Sequence, residues 1–179
     1  MRIIGGKYRG KKLISPASDK VRPTSDKARE AMFNILRSRL GNDFGSHRLL
    51  DVFAGSGAFG CEALSQGFAG VGLVDIATTD LLKNTALFVA EKSRIEIFKG
   101  DAATIAPRGE KFDVMFMDAP YNQGLTQKAL LNMRGWLCAK ALCLIEVRKD
   151  EDCPLPSEYQ QMDERRYGLA KVIVAEFVG

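Results

Sequence analysis

A chain of 179 residues, 46% hydrophobic and 27% charged, has the size and balance of one globular domain and leaves no room for a second large one. No run approaches the roughly 18 apolar residues of a membrane span, and the opening Met1-Arg2-Ile3-Ile4-Gly5-Gly6-Lys7 lacks the apolar core of a signal peptide, so a cytoplasmic protein is expected. The net charge of +4 is unevenly placed: residues 1–30 carry nine basic side chains against three acids, and the remainder 17 against 19. Cys61, Cys138, Cys143 and Cys153 form no CxxC pair and His47 is the only histidine, which supplies zinc poorly; the cysteines read as reduced packing residues and no metal is expected.

Residues 2–14 alternate loosely around Gly5, Gly6 and Gly10, which predicts a small hairpin. Its cations, Arg2, Lys7, Arg9, Lys11 and Lys12, suit phosphate attraction by counterion release, and equally suit a solvated charged surface. Pro23 then precedes Thr24 and Ser25 as cap candidates, with Asp26 in the first turn of a helix whose apolar positions are Ala28, Ala31, Met32, Ile35, Leu36 and Leu40. Residues 41–45 end it.

From residue 49 the pattern becomes short apolar runs separated by helical segments. Strands are predicted at 49–53, 71–74, 95–98, 112–117 and 141–147, with helices at 58–66, 78–92 and 124–137 between them. Such alternation means a doubly wound α/β sheet, mostly parallel, with helices on both faces. Residues 159–166 and 171–178 have no helix between them, so they predict an antiparallel hairpin at the far edge: seven strands, the last reversed.

Leu50-Asp51-Val52-Phe53-Ala54-Gly55-Ser56-Gly57-Ala58-Phe59-Gly60 reads as strand, glycine turn and helix start, and satisfies GxGxxG. Asp75, followed by Ile76, lies where the ribose-binding acid of such folds stands. The fingerprint alone fits a nicotinamide or S-adenosylmethionine. Asp51 favours the latter, because a carboxylate inside the first strand attracts an ammonium and repels a pyrophosphate. Asp101, before Ala102 at the end of the third strand, is placed either to accept from an adenine amino group or to serve as a helix N-cap.

Asp118-Ala119-Pro120-Tyr121 closes the fourth strand. A carboxylate, turn carbonyls and a flat ring at one point can hold a planar amine: the acceptors take hydrogen bonds from an exocyclic NH2 group and the ring stacks on the base. The same tetrapeptide also serves as a helix cap and turn. Asp51, Asp75, Asp101 and Asp118 all fall at carboxyl ends of predicted strands, where open α/β sheets bind ligands.

On these residues the chain resembles the bacterial 16S ribosomal RNA guanine-N2 methyltransferases of the RsmD family, within the class I S-adenosylmethionine-dependent fold, a Rossmann-like sheet. The resemblance covers Arg2-Ile3-Ile4-Gly5-Gly6, Arg22-Pro23-Thr24-Ser25 with Arg29 to Leu36, the glycine loop through Glu62-Ala63-Leu64-Ser65, Asp118 to Tyr121, Gly135-Trp136-Leu137 and Glu146. It implies a single methyltransferase domain, with 1–45 as a basic RNA-contacting extension and 46–179 as the catalytic core, acting as a monomer on 16S ribosomal RNA within the small ribosomal subunit or an assembly intermediate. The implied catalytic set is Asp118, Ala119, Pro120 and Tyr121. The implied cofactor set is Asp51, Phe53, Ala54, Gly55, Ser56, Gly57, Asp75, Ile76, Asp101, Ala102 and Asp118. The implied RNA contacts are Arg2, Lys7, Arg9, Lys11, Lys12, Arg22 and Thr24. Ala119 departs from the family's Asp-Pro-Pro-Tyr: its carbonyl remains as an acceptor, at a loss of up to ~1 kcal/mol of turn preorganisation. Rival readings are a DNA adenine-N6 or cytosine-N4 methyltransferase, a protein glutamine methyltransferase, a nicotinamide-dependent oxidoreductase and a catalytically silent RNA-binding protein on the same fold.

Overall fold

A computed structural model describes residues 1–15, 26–109, 111–121 and 123–179. The strands are β1 (Arg48–Val52), β2 (Gly70–Asp75), β3 (Ile95–Lys99), β4 (Phe112–Asp118), β5 (Leu137–Arg148), β6 (Tyr159–Tyr167) and β7 (Ala170–Phe177). They form one sheet in the order β3-β2-β1-β4-β5-β7-β6. Pairs among β1 to β5 are parallel, and β7 runs antiparallel to both β5 and β6. The reversed last strand thus sits inside the sheet and β6 forms the edge. Four helices are described: α1 (Asp26–Leu40), α2 (Ala58–Ser65), α3 (Thr79–Thr85) and α4 (Leu125–Met133).

The apolar runs of β1, β2 and β4 follow from cover on both faces, which removes the need for polar alternation. On one face Met32, Phe33 and Leu36 of α1, Phe59, Ala63 and Leu64 of α2 and Leu81 of α3 pack on Leu49, Leu73, Val114, Phe116 and Leu144. On the other, Ala129, Leu130 and Met133 of α4, with Trp136, pack on Leu50, Met115, Met117, Cys143 and Ile145. Each buried Leu, Ile, Val, Phe or Met side chain among them contributes roughly 1.5–3 kcal/mol, so these two layers, rather than any polar contact, hold the sheet.

Three boundaries differ from the sequence expectation by more than one residue. The helix expected over 78–92 stops at Thr85 and gives way to a 3-10 segment, Val89–Arg94. Phe88 leaves the helical path at φ −109° and ψ 53° and buries its ring against Ile3, Leu13 and Cys61. The helix expected over 124–137 ends at Met133 and tightens to 3-10 over Arg134–Trp136. The fifth strand begins four residues early, at Leu137, with a register irregularity opposite Phe112 and Val114.

The N-terminal segment folds back as a short hairpin with one antiparallel bridge, Arg2 to Lys12, around a 3-10 turn at Gly6–Tyr8. Ile3 N donates to Lys11 O at 2.9 Å and Leu13 N to Met1 O at 3.0 Å. α2 grips it: Glu62, fully buried, accepts from the amides of Ile4 and Gly5, both at 2.8 Å. One turn on, the Ser65 hydroxyl accepts from Tyr8 N at 2.8 Å and donates to Gly5 O at 2.5 Å. The cap candidates Thr24 and Ser25, with Pro23, lie outside the described residues.

Candidate active site

The carboxyl edge of the sheet is stitched together by backbone and carboxylate bonds. β1 leaves the sheet at Phe53, a non-glycine residue at φ +63°, and Ala54 N donates to Val74 O at the end of β2, 3.0 Å away. Phe53 in this left-handed region costs of order 1–3 kcal/mol, which the flanking bonds and the half-burial of its ring against the core offset. Gly57 has φ +75° just before α2, and its N–H closes the turn onto Ala54 O at 2.7 Å. Gly60 lets α2 approach β2: a Cβ there would lie 2.3 Å from Leu73 Cδ2. These roles are the ones a glycine fingerprint of this spacing requires.

Each acid named from the sequence has a defined setting. Asp51 is buried, with Oδ2 accepting from Gly60 N at 2.9 Å. Burial pushes its carboxyl up to about 7, against the lowering effect of that bond, and the charge of Asp75 adds to the rise. Asp75, half-buried, accepts from Gly55 N at 2.7 Å and from Ala77 N at 2.8 Å, while its carbonyl accepts from Gly100 N at 3.0 Å. The acid expected at a ribose therefore also supports the glycine loop. Asp101 is exposed and accepts from Ala103 N at 2.8 Å, with its carbonyl taking Thr104 N and Ile105 N; it closes a turn, and no helix follows for it to cap. Ile76 is 69% exposed and Ala102 is buried.

Asp118 ends β4 and is paired in register with Glu146 of β5. Ala119 is buried and Pro120 exposed. Tyr121, 38% exposed, donates its hydroxyl to Glu146 Oε1 at 3.2 Å. Partial burial and the nearby charges of Glu146 and Asp118 push its phenol well above the usual range. The ring is thus anchored at its tip, stays protonated, and keeps surface available for stacking.

The basic residues divide. Lys7 pairs with Glu91 at 2.8 Å, and Lys11 donates to Leu87 O at 2.7 Å with its ammonium over the Tyr8 and Phe88 rings. Arg2 reaches Asp26 at 3.4 Å. Arg9 and Lys12 are exposed and make no ion pair among the described residues. Arg22 and Thr24 lie outside the described residues.

Sequence reasoning assigned no role to Asn84, Asn132 or Glu146. Asn132 of α4 donates to Ala102 O at 3.0 Å and Ile105 O at 2.8 Å, fixing the turn after β3. Spacing carries no signal for such bonds, because the partners lie 27 to 30 residues apart. Among the described residues no group of three or more His, Cys, Asp or Glu is arranged to hold a metal ion, and no helix is long and apolar enough to cross a membrane.

The edge therefore offers carboxylates beside an exposed glycine crest, where a Cβ on Gly55 would meet nothing nearer than Phe53 O at 4.0 Å. That set suits a ligand bearing a cation and a diol and disfavours a pyrophosphate. The sequence model of the family described as "Conserved hypothetical protein 95" matches residues 1–176. Ribosomal RNA small subunit methyltransferase D of Escherichia coli K12 is 36% identical over 159 residues, covering 86% of this chain and 78% of that one. The Haemophilus influenzae protein of the same name is 31% identical over 177 residues, covering 94% and 90%. The solved Escherichia coli protein yhhF superposes with a TM-score of 0.84 at 30% identity, covering 99% of this chain and 98% of that one.

Proposed function

This chain belongs to that family, the RsmD methyltransferases, and from this premise we propose that it transfers a methyl group from S-adenosylmethionine to the exocyclic N2 of a guanine in 16S ribosomal RNA of the small ribosomal subunit. Its fold is the Rossmann-like class I methyltransferase fold with a reversed last strand. The observation that carries the reading is the close of β4: Asp118, a turn carbonyl and a tip-anchored Tyr121 meet at the carboxyl edge beside the glycine loop.

Bound S-adenosylmethionine supplies a sulfonium methyl group that is already electrophilic. The chain's residues place the nucleophile. The Asp118 carboxylate and the Ala119 carbonyl accept from the amine, which favours a pyramidal nitrogen with its lone pair turned outward. Tyr121 stacks on the base, a contact worth about 1–3 kcal/mol. Asp118 or water takes the product proton, because the Tyr121 phenol is held in its protonated form. Asp75 accepts from the ribose hydroxyls, Asp51 balances the cofactor's ammonium, and Asp101 accepts from the adenine amine through the oxygen not used in its own turn.

Two acceptors at the close of β4, the Asp118 carboxylate and the Ala119 carbonyl, favour guanine over the other amino bases. Guanine presents two donors side by side, N1–H and N2–H, whereas adenine and cytosine place a lone pair beside the amine. Neighbouring acceptors suit the first edge and repel the lone pair of the second. Arg9 and Lys12 then hold the RNA backbone.

The test is incubation with methyl-labelled S-adenosylmethionine and small subunits from cells lacking this gene, beside protein-free ribosomal RNA and genomic DNA. Label in N2-methylguanosine of subunit RNA is the expected result. Label in DNA adenine or cytosine transfers the activity to another amine and overturns the reading.

A further inference from the structure

Asn84, on α3, has no exposed surface and no part in the chemistry above. Its Oδ1 accepts from Ile14 N at 2.8 Å, and its Nδ2 donates both to Ile14 O at 3.1 Å and to Ser56 O at 2.8 Å. One buried amide thus joins the N-terminal hairpin, 70 residues away in sequence, to the glycine loop, 28 residues away. The hairpin decides how that amide faces. Rotated by half a turn, it would set its NH2 group against the Ile14 N–H and its oxygen against the Ser56 carbonyl, two mismatches in a buried place.

The Ser56 carbonyl belongs to the peptide unit leading to Gly57, whose N–H is bonded to Ala54 O at 2.7 Å. That unit lies between Gly55 at φ +55° and Gly57 at φ +75°, residues with low barriers to other conformations. Asn84 holds one end of the unit and Ala54 the other. Without the first, the loop gains conformers at the point where it must meet the ligand, and ordering it then costs binding energy.

We propose that Asn84 is a positioning residue that couples the N-terminal hairpin to the cofactor loop, so that hairpin and cofactor stabilise each other through the Ser56–Gly57 peptide. This rests on the cofactor reading of the loop given above. Coupling of this kind is reciprocal: whatever the hairpin adds to cofactor affinity, the cofactor adds to hairpin order. An RNA that orders the hairpin raises cofactor affinity by the same route.

The experiment is calorimetric titration of the full chain with S-adenosylhomocysteine, comparing wild type, Ile14→Pro, Asn84→Ala, the double variant and Glu91→Gln. Ile14→Pro removes the N–H that Asn84 accepts from, at a residue that is 43% exposed and outside the loop. Glu91→Gln weakens only the far turn of the hairpin, where Lys7 and Tyr8 are held, and leaves the Ile14–Asn84 bonds that carry the coupling in place. The expected result is a loss of about tenfold in affinity for each single variant at Ile14 or Asn84, with no further loss in the double, and a change under about twofold for Glu91→Gln. S-adenosylhomocysteine also slows hydrogen exchange of the Ile14 amide in the wild type. If Asn84→Ala does not fold, Asn84→Asp replaces it, keeping the acceptor for Ile14 and losing the donor to Ser56. Wild-type affinity in Ile14→Pro, or additive losses in the double variant, overturns the coupling while leaving the cofactor reading intact. No binding by the wild type overturns both.

Discussion

At the carboxyl edge of the sheet Asp75, Asp101 and Asp118 stand at strand ends with part of each residue at the surface, whereas in the N-terminal hairpin most cations are engaged by the protein itself. Lys7 lies on Glu91, Lys11 on a carbonyl and two rings, and Arg2 reaches Asp26. Both regions looked like charged ligand surfaces in sequence. A strand end delivers its acid to the edge whatever the neighbours are, while a cation's partner arrives from far along the chain. The position of a charge at a strand end is therefore legible from the strand pattern, whereas the setting of a charge in a hairpin is known only once its partners are.

The largest test of that contrast is Glu62→Ala. It removes the acceptor for two hairpin amides and leaves Arg29 buried beside a missing carboxylate, for a loss of about 3–5 kcal/mol in urea unfolding. A loss under about 1 kcal/mol means that the hairpin is held by its apolar cluster instead.

Asp51 sharpens the other side. Its folded pKa of about 7 lies above the unfolded value of 3.8, so the native state binds the extra proton and stability falls as pH rises between those values. The fall amounts to on the order of 4 kcal/mol at its limit. Asp51→Asn keeps the acceptor for Gly60 N–H and removes this slope, which the difference between the two pH–stability curves isolates. Cofactor affinity has the opposite sign. A bound ammonium favours the ionised carboxylate, so affinity rises from about pH 6 to 7.5 in the wild type and stays flat in Asp51→Asn.

The smallest effect is expected from Arg9 and Lys12. Replacing both by Ala should lower RNA affinity about tenfold and reduce the slope of log affinity against log salt by about 2, with the melting temperature unchanged. Lys7→Ala, by contrast, should lower the melting temperature, because Glu91 is held down to about 2 chiefly by its bond to Lys7. An unchanged salt slope in the Arg9 and Lys12 variant makes the hairpin purely structural.

Most of the fold was legible because burial on two faces writes itself as apolar runs, and the missing helix between 159–166 and 171–178 gave the reversed strand. The glycine loop was legible because Gly57 and Gly60 answer to backbone geometry and close packing. The break after Thr85 was not, since it depends on Phe88 entering a pocket built by Ile3 and Leu13. Nor were the left-handed Phe53, the bond of Asp75 to Gly55 or the Glu146 anchor for Tyr121. Each of these is a tertiary contact or backbone angle that no local spacing encodes.

The central claim is that Asp118 holds the amine while the glycine loop holds the cofactor, and Asp118→Ala separates the two. S-adenosylhomocysteine binding and methyl transfer to small subunits should be measured on the same preparation. Binding within about threefold of wild type with turnover reduced about a thousandfold is the predicted result. Turnover near the wild-type level contradicts the account.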